Sequence, residues 1–415
     1  MINKFERVTM VGLGYIGLPT AALMASRGLT VIGLDVNQQA VDTINAGGVH
    51  IVEPDLDIVV RSVVTTGNLR ATTQAEASDA FLIAVPTPFK EDHKPDLKHI
   101  KQAAESIAPV LEKGNLIVLE STSPVGTTEK MSAWLAEMRQ DLSFPHQTVE
   151  ADIQIAYCPE RVLPGHVLQE LVNNDRIIGG MSDYCSKRAT ELYKTFVMGN
   201  CLPTNARTAE LCKLIENAYR DTNIAFANEI SLVCEHLDIN VWELIELANR
   251  HPRVSILQPG PGVGGHCIAV DPWFIVDSAP ECTPLIRTAR NVNDKKPLHI
   301  VNRVLTKAAR FKRPCVACFG LAFKANIDDL RESPAMNICC AIAEKLDGPV
   351  LVVEPNISEL PSKLAAYGQV QLVSMNQALT EADIALGLVD HREFRELSRE
   401  LFDEKVVLDT RGMWR

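Results

Sequence analysis

Short apolar runs alternate with amphipathic stretches along the N-terminal half of the chain. The first run, Arg7 to Val11, leads into a glycine-rich turn, a helical pattern from Pro19 to Arg27 and a second apolar run from Thr30 to Asp35. This order predicts a β-α-β unit. Similar apolar runs return at 80–85, 116–120, 153–158 and 176–179. The alternation predicts an α/β fold that begins with a Rossmann-type, doubly wound parallel sheet.

The pattern changes near residue 205. From Thr208 to about Ala248 the sequence is helical and lacks strong breakers, which predicts a long central helical segment with a face suited to dimerisation. After a further helix around 284–311, apolar runs resume at 315–320, 349–354, 382–389 and 405–409. We therefore divide the chain into an N-terminal sheet domain (1–205), a central helical domain (206–312) and a smaller, Rossmann-like C-terminal domain (313–415).

Composition and charge narrow the classes of partner. The chain has 415 residues, a net charge of −11 and no run of Lys or Arg, so we expect neither nucleic acid nor an anionic membrane surface as a partner. Because no apolar run approaches the length of a membrane span, we expect a cytoplasmic protein. Of the eleven cysteines only Cys315 and Cys318 have C-x-x-C spacing, and they lie in an apolar segment, where Cys behaves as a small hydrophobe, so neither a disulfide framework nor a metal site is indicated.

A glycine motif follows the first predicted strand. Gly12, Gly14 and Gly17 surround Tyr15 and Ile16 at the start of the first helix, and Asp35 closes the next strand. In a β-α-β unit this spacing allows a tight turn, a close approach of backbone to a pyrophosphate and close packing of helix on strand. A carboxylate at the second strand end accepts from a ribose hydroxyl and repels a 2′-phosphate, so we expect NAD. The alternative is that the glycines only form a tight turn.

Two further strand ends carry hydroxyl groups. Thr87 follows the run that ends at Val85, and Thr122 and Thr128 lie in the segment 120–128. Ligands of open α/β sheets bind at such strand ends, which favours contacts to the ribose or nicotinamide. Thr-Pro and Ser-Pro are also common turn formers, and that structural interpretation is at least as well supported.

A single thiol lies on a glycine-rich loop. The loop runs from Pro259 to Cys267, and an acid, Asp271, follows four residues later. Glycines let backbone approach a ligand, and an accessible Cys among polar groups is a candidate nucleophile. A nucleophilic sulfur combined with a dinucleotide motif predicts oxidation of an alcohol beyond the aldehyde. The alternative is a buried, inert Cys.

Polar residues also form a stripe on the central helix. Glu210, Lys213, Asn217 and Arg220 share one face at helical spacing. The pattern is typical of a solvated charged face. The other hypothesis is that the Lys ammonium and the Asn amide stabilise an oxyanion, with Glu210 as a structural partner.

Four cations come near predicted loops. They are His251, Arg253, Lys324 and Arg331. In an acidic protein, cations near strand ends are candidate contacts to phosphate or carboxylate groups of a ligand.

With these motifs in their observed order, the sequence resembles the UDP-glucose/GDP-mannose dehydrogenase family over essentially the whole chain. The resemblance is carried by the Gly12 fingerprint, by 121–126, by 210–213 with Asn217, by 264–267 with Asp271, and by 324–334. It implies an N-terminal NAD-binding domain, a central dimerisation helix and a C-terminal domain that binds the UDP part of a nucleotide sugar. It further implies a homodimer that oxidises the sugar C6 alcohol to a carboxylate with two NAD+.

The resemblance implies roles for individual residues. The catalytic residues are Cys267 as nucleophile, Lys213 and Asn217 as oxyanion donors, Asp271 as the acid that supports the lysine or a water, Thr122 as the residue that holds the water, and Glu160 as candidate general base. The cofactor residues are Gly12, Gly14, Tyr15, Ile16, Gly17, Asp35, Thr87, Thr122, Thr128 and Arg331. The substrate residues are Arg161, Val162, Lys213, Asn217, Arg220, His251, Arg253 from across the dimer, Gly264, Phe323, Lys324 and Arg411.

Departures from the UDP-glucose branch of the family indicate a different sugar. The segments 159–165, 251–253 and 259–274, including His266 before the Cys, resemble the branch that oxidises UDP-N-acetyl-D-mannosamine for surface polysaccharide such as enterobacterial common antigen. That branch often has Lys where Arg411 stands. The alternatives are another UDP-sugar 6-dehydrogenase, a two-electron 3-hydroxy acid dehydrogenase and a non-catalytic NAD-binding scaffold. Whether Asp271 or Glu160 handles the proton stays open.

Overall fold

The computed structural model describes residues 5–90, 93–162, 165–265 and 267–414. The chain divides into two compact units. The first extends to Glu216 and also includes Trp273–Ser278, and the second comprises Asn217–Pro272 and the chain from Ala279. The three-domain division at 205/206 and 312/313 stays a prediction.

The described part of the first unit contains an eight-stranded sheet. Its order is β3-β2-β1-β4-β5-β6-β7-β8. The strands are β1 (Arg7–Val11), β2 (Thr30–Leu34), β3 (Leu69–Thr72), β4 (Ala80–Ile83), β5 (Leu116–Leu119), β6 (Gln154–Tyr157), β7 (Arg176–Gly180) and β8 (Cys201–Asn205). The reversal of strand order beside β1 is the doubly wound arrangement that the sequence predicts.

One strand pair departs from the predicted parallel sheet. β7 pairs antiparallel with β6, whereas the other neighbours in this sheet are parallel. An antiparallel neighbour begins at the edge of the sheet where its partner ends. Arg176, the first residue of β7, is therefore close to the residues that follow β6.

Helices cover both faces of this sheet. They are α1 (Gly17–Ser26), α2 (Gln38–Asn45), α3 (Leu56–Thr65), α4 (Lys98–Ile107), α5 (Thr127–Met138), α6 (Val167–Asn173) and α7 (Asp183–Tyr193). Met10 and Leu18 belong to one buried apolar cluster and Phe81 and Ile100 to another. Because both faces are buried, the central strands consist of nearly continuous apolar residues.

The predicted central helical segment consists of two helices. They are α8 (Ala206–His236) and α9 (Val241–Ala248), and the boundary between the two compact units falls within α8. The chain turns at Asp238, whose φ of 55° is left-handed, and Asn240 Oδ1 then caps α9 by accepting from Trp242 N at 3.0 Å. Although α8 has 31 residues, neither it nor another described helix is long and apolar enough to cross a membrane.

The second unit contains a five-stranded parallel sheet within the described residues. Two helices precede it, α10 (Asp271–Ser278), which begins in this unit, and α11 (Pro284–Ala308). The strand order is β11-β10-β9-β12-β13. The strands are β9 (Val316–Phe319), β10 (Val350–Val353), β11 (Val370–Leu372), β12 (Ile384–Gly387) and β13 (Val406–Asp409), with helices α12 (Pro334–Lys345), α13 (Ser362–Ala365), α14 (Met375–Glu381) and α15 (Arg392–Arg395). The prediction of a second, smaller Rossmann-like domain is confirmed.

Candidate active site

The glycine turn between β1 and α1 has no room for side chains at two positions. Gly12 has a φ of 90°, and a β-carbon there would lie 2.6 Å from the carbonyl oxygen of Ala84. At Gly17 a β-carbon would lie 1.8 Å from the oxygen of Gly12. Gly14, in contrast, has no atom within 4 Å of that position. The turn is therefore tight where helix meets strand and open where a pyrophosphate approaches.

Asp35 holds this turn against the end of β2. Its Oδ2 accepts from the backbone N–H of Leu13 at 2.8 Å, and its Oδ1 accepts from that of Asn37 at 2.9 Å. The carboxylate is half-buried and each oxygen has a further lone pair, which suits a ribose hydroxyl. Tyr15, in the glycine turn, is exposed. These residues fit an NAD cofactor.

Hydrogen bonds join the two strand ends that carry hydroxyl groups. Thr87 Oγ1 donates to the carbonyl oxygen of Thr122 at 2.6 Å, and Val85 N donates to Ser121 Oγ at 2.9 Å. Thr87 and Thr122 are half-buried, so their positions are compatible with contacts to a ligand. Their cofactor and water-holding roles stay predictions.

Glu210 is buried and acts as a structural acceptor. It accepts from Gly126 N at 2.6 Å, from Thr128 N at 2.8 Å and from the Thr128 hydroxyl at 2.6 Å. Burial raises the pKa of Glu210 and these hydrogen bonds oppose the rise. The Thr128 side chain is fully buried in this arrangement, and its cofactor role stays a prediction.

The polar stripe on α8 is not a uniformly solvated face. Glu210 and Asn217 are buried, Lys213 is half-buried and Arg220 is exposed. The alternative of a solvated charged face is therefore wrong for the two buried residues.

Both carboxylate oxygens of Glu160, the candidate general base, accept hydrogen bonds. Its Oε2 pairs with Arg176 at 2.6 Å, and its Oε1 accepts from Arg161 N at 2.6 Å and Val162 N at 2.9 Å. Glu160 and Arg176 are both buried. The pair thus shapes the backbone of Arg161 and Val162, and one lone pair stays on Oε2 for a proton.

Arg161 has its own partners. One guanidinium nitrogen pairs with Glu216 at 2.7 Å, and another donates to the carbonyl oxygen of Asp175 at 2.9 Å. Val162, the next predicted substrate residue, is half-buried. Residues 163 and 164 of the same motif lie outside the described residues.

A second buried carboxyl group lies at the end of β5. Glu120 accepts from the Tyr193 hydroxyl through one oxygen, and its other oxygen has no hydrogen-bond partner among the described residues. Burial and the nearby Glu160 raise the pKa of Glu120 to about 7, while Tyr193 and Arg176 lower it by less. Burial also raises the pKa of the neighbouring Cys158 thiol to about 12. The cluster was not predicted, because no local sequence pattern marks it.

Replacing Glu120 by glutamine is expected to make the stability of the protein less dependent on pH. In the folded protein this carboxyl keeps its proton up to about pH 7, whereas its ordinary pKa is 4.5. Between these values the folded state binds more protons, so stability is fully present below the lower pKa and falls as pH rises through the higher one. The loss amounts to about 3 kcal/mol at pH 8. Glutamine does not titrate and keeps an oxygen that accepts from Tyr193.

Thermal unfolding at pH 5, 6, 7 and 8 measures this effect. The difference in Tm between Glu120→Gln and the unchanged protein is expected to increase with pH. Glu150→Gln at an exposed position is the matched control and is expected to show no such trend. Parallel pH profiles for Glu120→Gln and the unchanged protein would contradict the raised pKa.

In the second unit, Asn217 and Asp271 are in direct contact. Asn217 Nδ2 donates to Asp271 Oδ2 at 2.5 Å, and both side chains are buried. Asp271 thus orients an amide that we predict to be an oxyanion donor. The sequence did not predict this pair, because 54 residues separate its members.

Cys267 is exposed at the start of the turn that leads into α10. Its carbonyl oxygen accepts from Val270 N at 3.0 Å and from Asp271 N at 2.9 Å. The alternative of a buried thiol is therefore wrong, and the role as nucleophile stays a prediction. His266, which we expect to influence the choice of sugar, lies outside the described residues.

The loop before Cys267 packs closely on the segment that follows β9. A β-carbon on Gly264 would lie 2.4 Å from the oxygen of Glu332 and 3.0 Å from Cβ of Phe323. A β-carbon on Gly265, whose φ is 83°, would lie 3.1 Å from the Phe323 ring. The close approach explains why glycine is needed at both positions.

The remaining predicted substrate and cofactor residues differ in their surroundings. Arg411 lies next to Gly260, where a β-carbon would be 2.8 Å from its Nη1. Arg331 pairs with Asp329 at 2.6 Å and is 58% exposed. Lys324, His251, Arg253 and Arg220 are exposed. Their ligand contacts stay predictions.

Three family models match successive parts of the chain. The NAD binding domain of the UDP-glucose/GDP-mannose dehydrogenase family matches residues 6–197, its central domain matches 207–295, and its UDP binding domain matches 317–415. The first match includes the glycine turn and Asp35, which confirms the prediction of NAD.

Characterised relatives are similar over nearly the full chain. An NDP-N-acetyl-D-galactosaminuronic acid dehydrogenase of Ralstonia solanacearum is 63% identical over 411 residues, which are 99% of this chain and 96% of the relative. A UDP-N-acetyl-D-mannosamine dehydrogenase of Escherichia coli is 60% identical over 99% of this chain and 100% of the relative. A solved structure of a UDP-D-ManNAc dehydrogenase from Pyrococcus horikoshii has a TM-score of 0.87 and 38% identity, and the match covers 99% of this chain and 96% of that one.

Proposed function

This chain belongs to the UDP-glucose/GDP-mannose dehydrogenase family, and on that premise we propose that it oxidises UDP-N-acetyl-D-mannosamine at C6 to the uronate. It is an NAD-dependent oxidoreductase. The conversion of a primary alcohol to an acid releases four electrons, so two NAD+ are reduced for each sugar. The observation that supports this sugar is the 60% identity, over the full length, to the E. coli UDP-N-acetyl-D-mannosamine dehydrogenase.

A second candidate is a nucleotide-linked N-acetyl-D-galactosamine sugar. The R. solanacearum relative, named for N-acetyl-D-galactosaminuronic acid, is 63% identical to this chain. Both candidate sugars carry an acetamido group, which UDP-glucose lacks. We therefore expect selectivity for acetamido sugars. The two candidate sugars differ in configuration at both C2 and C4, and parallel assays with both distinguish them.

Cys267 carries the covalent part of the proposed mechanism. Bound NAD+ supplies the acceptor for the hydrides that the alcohol-to-acid conversion releases. The Cys267 thiolate adds to the C6 aldehyde carbon, and the resulting thiohemiacetal keeps the aldehyde in the site. Oxidation of this adduct yields a thioester, and water then cleaves its carbon–sulfur bond to release the carboxylate and restore the thiol. The exposure of Cys267 supports this role.

Lys213 and Asn217 are the proposed donors to the oxyanions formed at C6. An ammonium and an amide stabilise negative charge best when they are held in place before it develops. The 2.5 Å contact between Asn217 and Asp271 supports such preorganisation of the amide. Asp271 and Glu160 are the candidates for the base, and Thr122 for holding the hydrolytic water.

The substrate residues that the family resemblance implies are the proposed contacts for the nucleotide sugar. Two of them, Arg161 and Val162, are positioned through their backbone by Glu160. The others are Arg220, His251, Arg253, Gly264, Phe323, Lys324 and Arg411. Arg331 is proposed to contact the cofactor. Guanidinium and ammonium groups offset the charge of the diphosphate in a protein whose net charge is −11.

Parallel assays with a panel of nucleotide sugars test the proposed function. NADH formation is measured with UDP-N-acetylmannosamine, UDP-N-acetylgalactosamine, UDP-N-acetylglucosamine, UDP-glucose and GDP-mannose. We expect the highest kcat/KM with UDP-N-acetylmannosamine and two NADH for each sugar consumed. Preference for UDP-glucose overturns the choice of sugar. One NADH for each substrate supports a two-electron hydroxy acid dehydrogenase, and absence of turnover supports a non-catalytic scaffold.

We also propose that the enzyme acts as a homodimer in the cytoplasm and that its product enters surface polysaccharide such as enterobacterial common antigen. The support for a dimer is an apolar stripe on α8, where Tyr219, Phe226 and Val233 are 46–70% exposed. These spacings place the three side chains on one face of the helix. Light scattering that gives the mass of a single 45.6 kDa chain at assay concentrations would exclude the dimer.

A further inference from the structure

A carboxylate and an imidazole form a buried pair in the second unit. Glu354 follows β10 and His391 follows β12, the two strands that flank β9. His391 Nε2 and Glu354 Oε2 are 3.0 Å apart, and both side chains are fully buried. Neither residue was singled out by the sequence. Buried polar groups in proteins are usually hydrogen-bonded. The partners of Glu354 and His391 show which segment of the chain this pair holds.

The pair holds both ends of one loop, which we call the 321–326 loop. Glu354 Oε2 accepts from Leu321 N at 2.8 Å and from Ala322 N at 3.1 Å, at the start of the loop. His391 Nδ1 accepts from Asn326 N at 2.9 Å, at its end. Asn326 has a left-handed φ of 61°, so this hydrogen bond stabilises a conformation that most residues avoid.

The protonation states of the pair follow from these bonds. Because Nδ1 of His391 accepts a backbone N–H, the ring hydrogen lies on Nε2 and is donated to Glu354. Burial raises the pKa of Glu354, but the hydrogen bonds from His391 and Leu321 outweigh it and the net pKa is lowered. Glu354 Oε1 accepts from Asn356 N and Nδ2 at 3.2 and 3.1 Å. The carboxylate is therefore charged and satisfied on both oxygens.

The 321–326 loop touches the segment that presents Cys267. Phe323, in the middle of the loop, lies against Gly264 and Gly265, close enough that a β-carbon on either glycine would be 3.0–3.1 Å from it. Cys267 follows two residues later. Lys324, a proposed substrate contact, is next to Phe323 in the loop. A shift of the loop thus displaces Lys324 and the backbone before the nucleophile together.

We propose that Glu354 and His391 are positioning residues that fix the 321–326 loop and thereby set the place of Lys324 relative to the Cys267 segment. They touch no reacting atom themselves. The inference rests on the proposed function, because it takes Lys324 and Cys267 as the groups that meet the nucleotide sugar. Loss of the pair therefore weakens sugar binding more than NAD+ binding, since the glycine turn and Asp35 belong to the first unit and Arg331, the one proposed cofactor contact of the second unit, lies outside the 321–326 loop.

Three substitutions of His391 separate its two hydrogen bonds. His391→Asn keeps an oxygen close to the place of Nδ1 and so preserves acceptance from Asn326. His391→Gln keeps a donor close to the place of Nε2 and so preserves the bond to Glu354. His391→Phe fills the volume and preserves neither. We expect His391→Phe to raise KM for the nucleotide sugar at least tenfold, with KM for NAD+ within twofold, and His391→Asn to recover much of the loss.

Two readouts keep this test independent of folding and of the proposed function. Calorimetric titration with UDP and with UDP-N-acetylmannosamine measures affinity without turnover, and thermal unfolding reports whether each variant is folded. If His391→Phe does not fold, the comparison of His391→Asn with His391→Gln decides, because only the former is expected to keep the affinity for the sugar. Folded variants with unchanged affinity, or equal losses for sugar and NAD+, overturn the positioning role. If the unchanged enzyme binds neither ligand, the proposed function itself fails.

Discussion

Replacing Cys267 by serine or alanine is expected to lower formation of the uronate by at least about a thousandfold. Neither side chain forms a thioester, and a serine hydroxyl is a far weaker nucleophile than a thiolate, so the second oxidation stops. Binding of NAD+ is expected to stay within twofold, because none of the proposed cofactor residues is changed. Mass spectrometry of the sugar product, together with NADH absorbance, measures the effect.

Cys282 provides the matched control for this experiment. It is a second exposed cysteine of the same unit, and no role is assigned to it. Cys282→Ser is expected to retain full activity. Iodoacetamide is expected to inactivate the unchanged enzyme and Cys282→Ser alike. Full activity of Cys267→Ala would exclude covalent catalysis by this residue.

Replacing Arg290 by methionine is expected to destabilise the second unit by about 3–5 kcal/mol. Arg290, on α11, pairs with Asp221 of α8 at 2.5 Å, and the two side chains are only 2% and 1% exposed. The change leaves the Asp221 charge buried without its main partner. Burial already raises the pKa of Asp221, and Arg290 opposes the rise. In a unit of this size the loss corresponds to a Tm lower by roughly 10 °C, measured by calorimetry at pH 7.

A double variant separates loss of the charge pair from loss of packing. Arg290→Met combined with Asp221→Asn removes both charges and keeps an oxygen to which Asn293 donates. We expect this variant to regain most of the lost Tm, because removing both members of a buried pair often costs little. Equal Tm values for the single and double variants would show that packing of the Arg290 side chain, not the unpaired charge, accounts for the loss.

Three strands that we did not predict from the sequence all lie at the edges of the sheets. β3, β8 and β11 each lie at an edge of a sheet, and they contain exposed residues. An edge strand has one neighbour and a partly solvated surface, so it needs no continuous apolar run. The central strands are buried on both faces, and their apolar runs were therefore predicted close to their observed bounds.

The candidate site shows the same division between local and distant signals. The glycine turn with Asp35 and the glycine loop before Cys267 were predicted because each is a short segment with a characteristic spacing. The side chains that pair with Glu160 and Asn217 were not predicted. Arg176 meets Glu160 because β7 runs antiparallel to β6, and Asp271 meets Asn217 across 54 residues.

The two α/β sheets and the NAD turn could be predicted from the amino-acid sequence alone, and Cys267 could be singled out as a candidate nucleophile, because these depend on periodicity and on residue types within short segments. Which polar groups pair with one another could be seen only in the three-dimensional fold: Glu160 with Arg176, Glu210 with Thr128 and His391 with Glu354. Burial explains these pairings. A charged or polar group removed from water must find a partner, and that partner comes from whichever element the fold brings beside it.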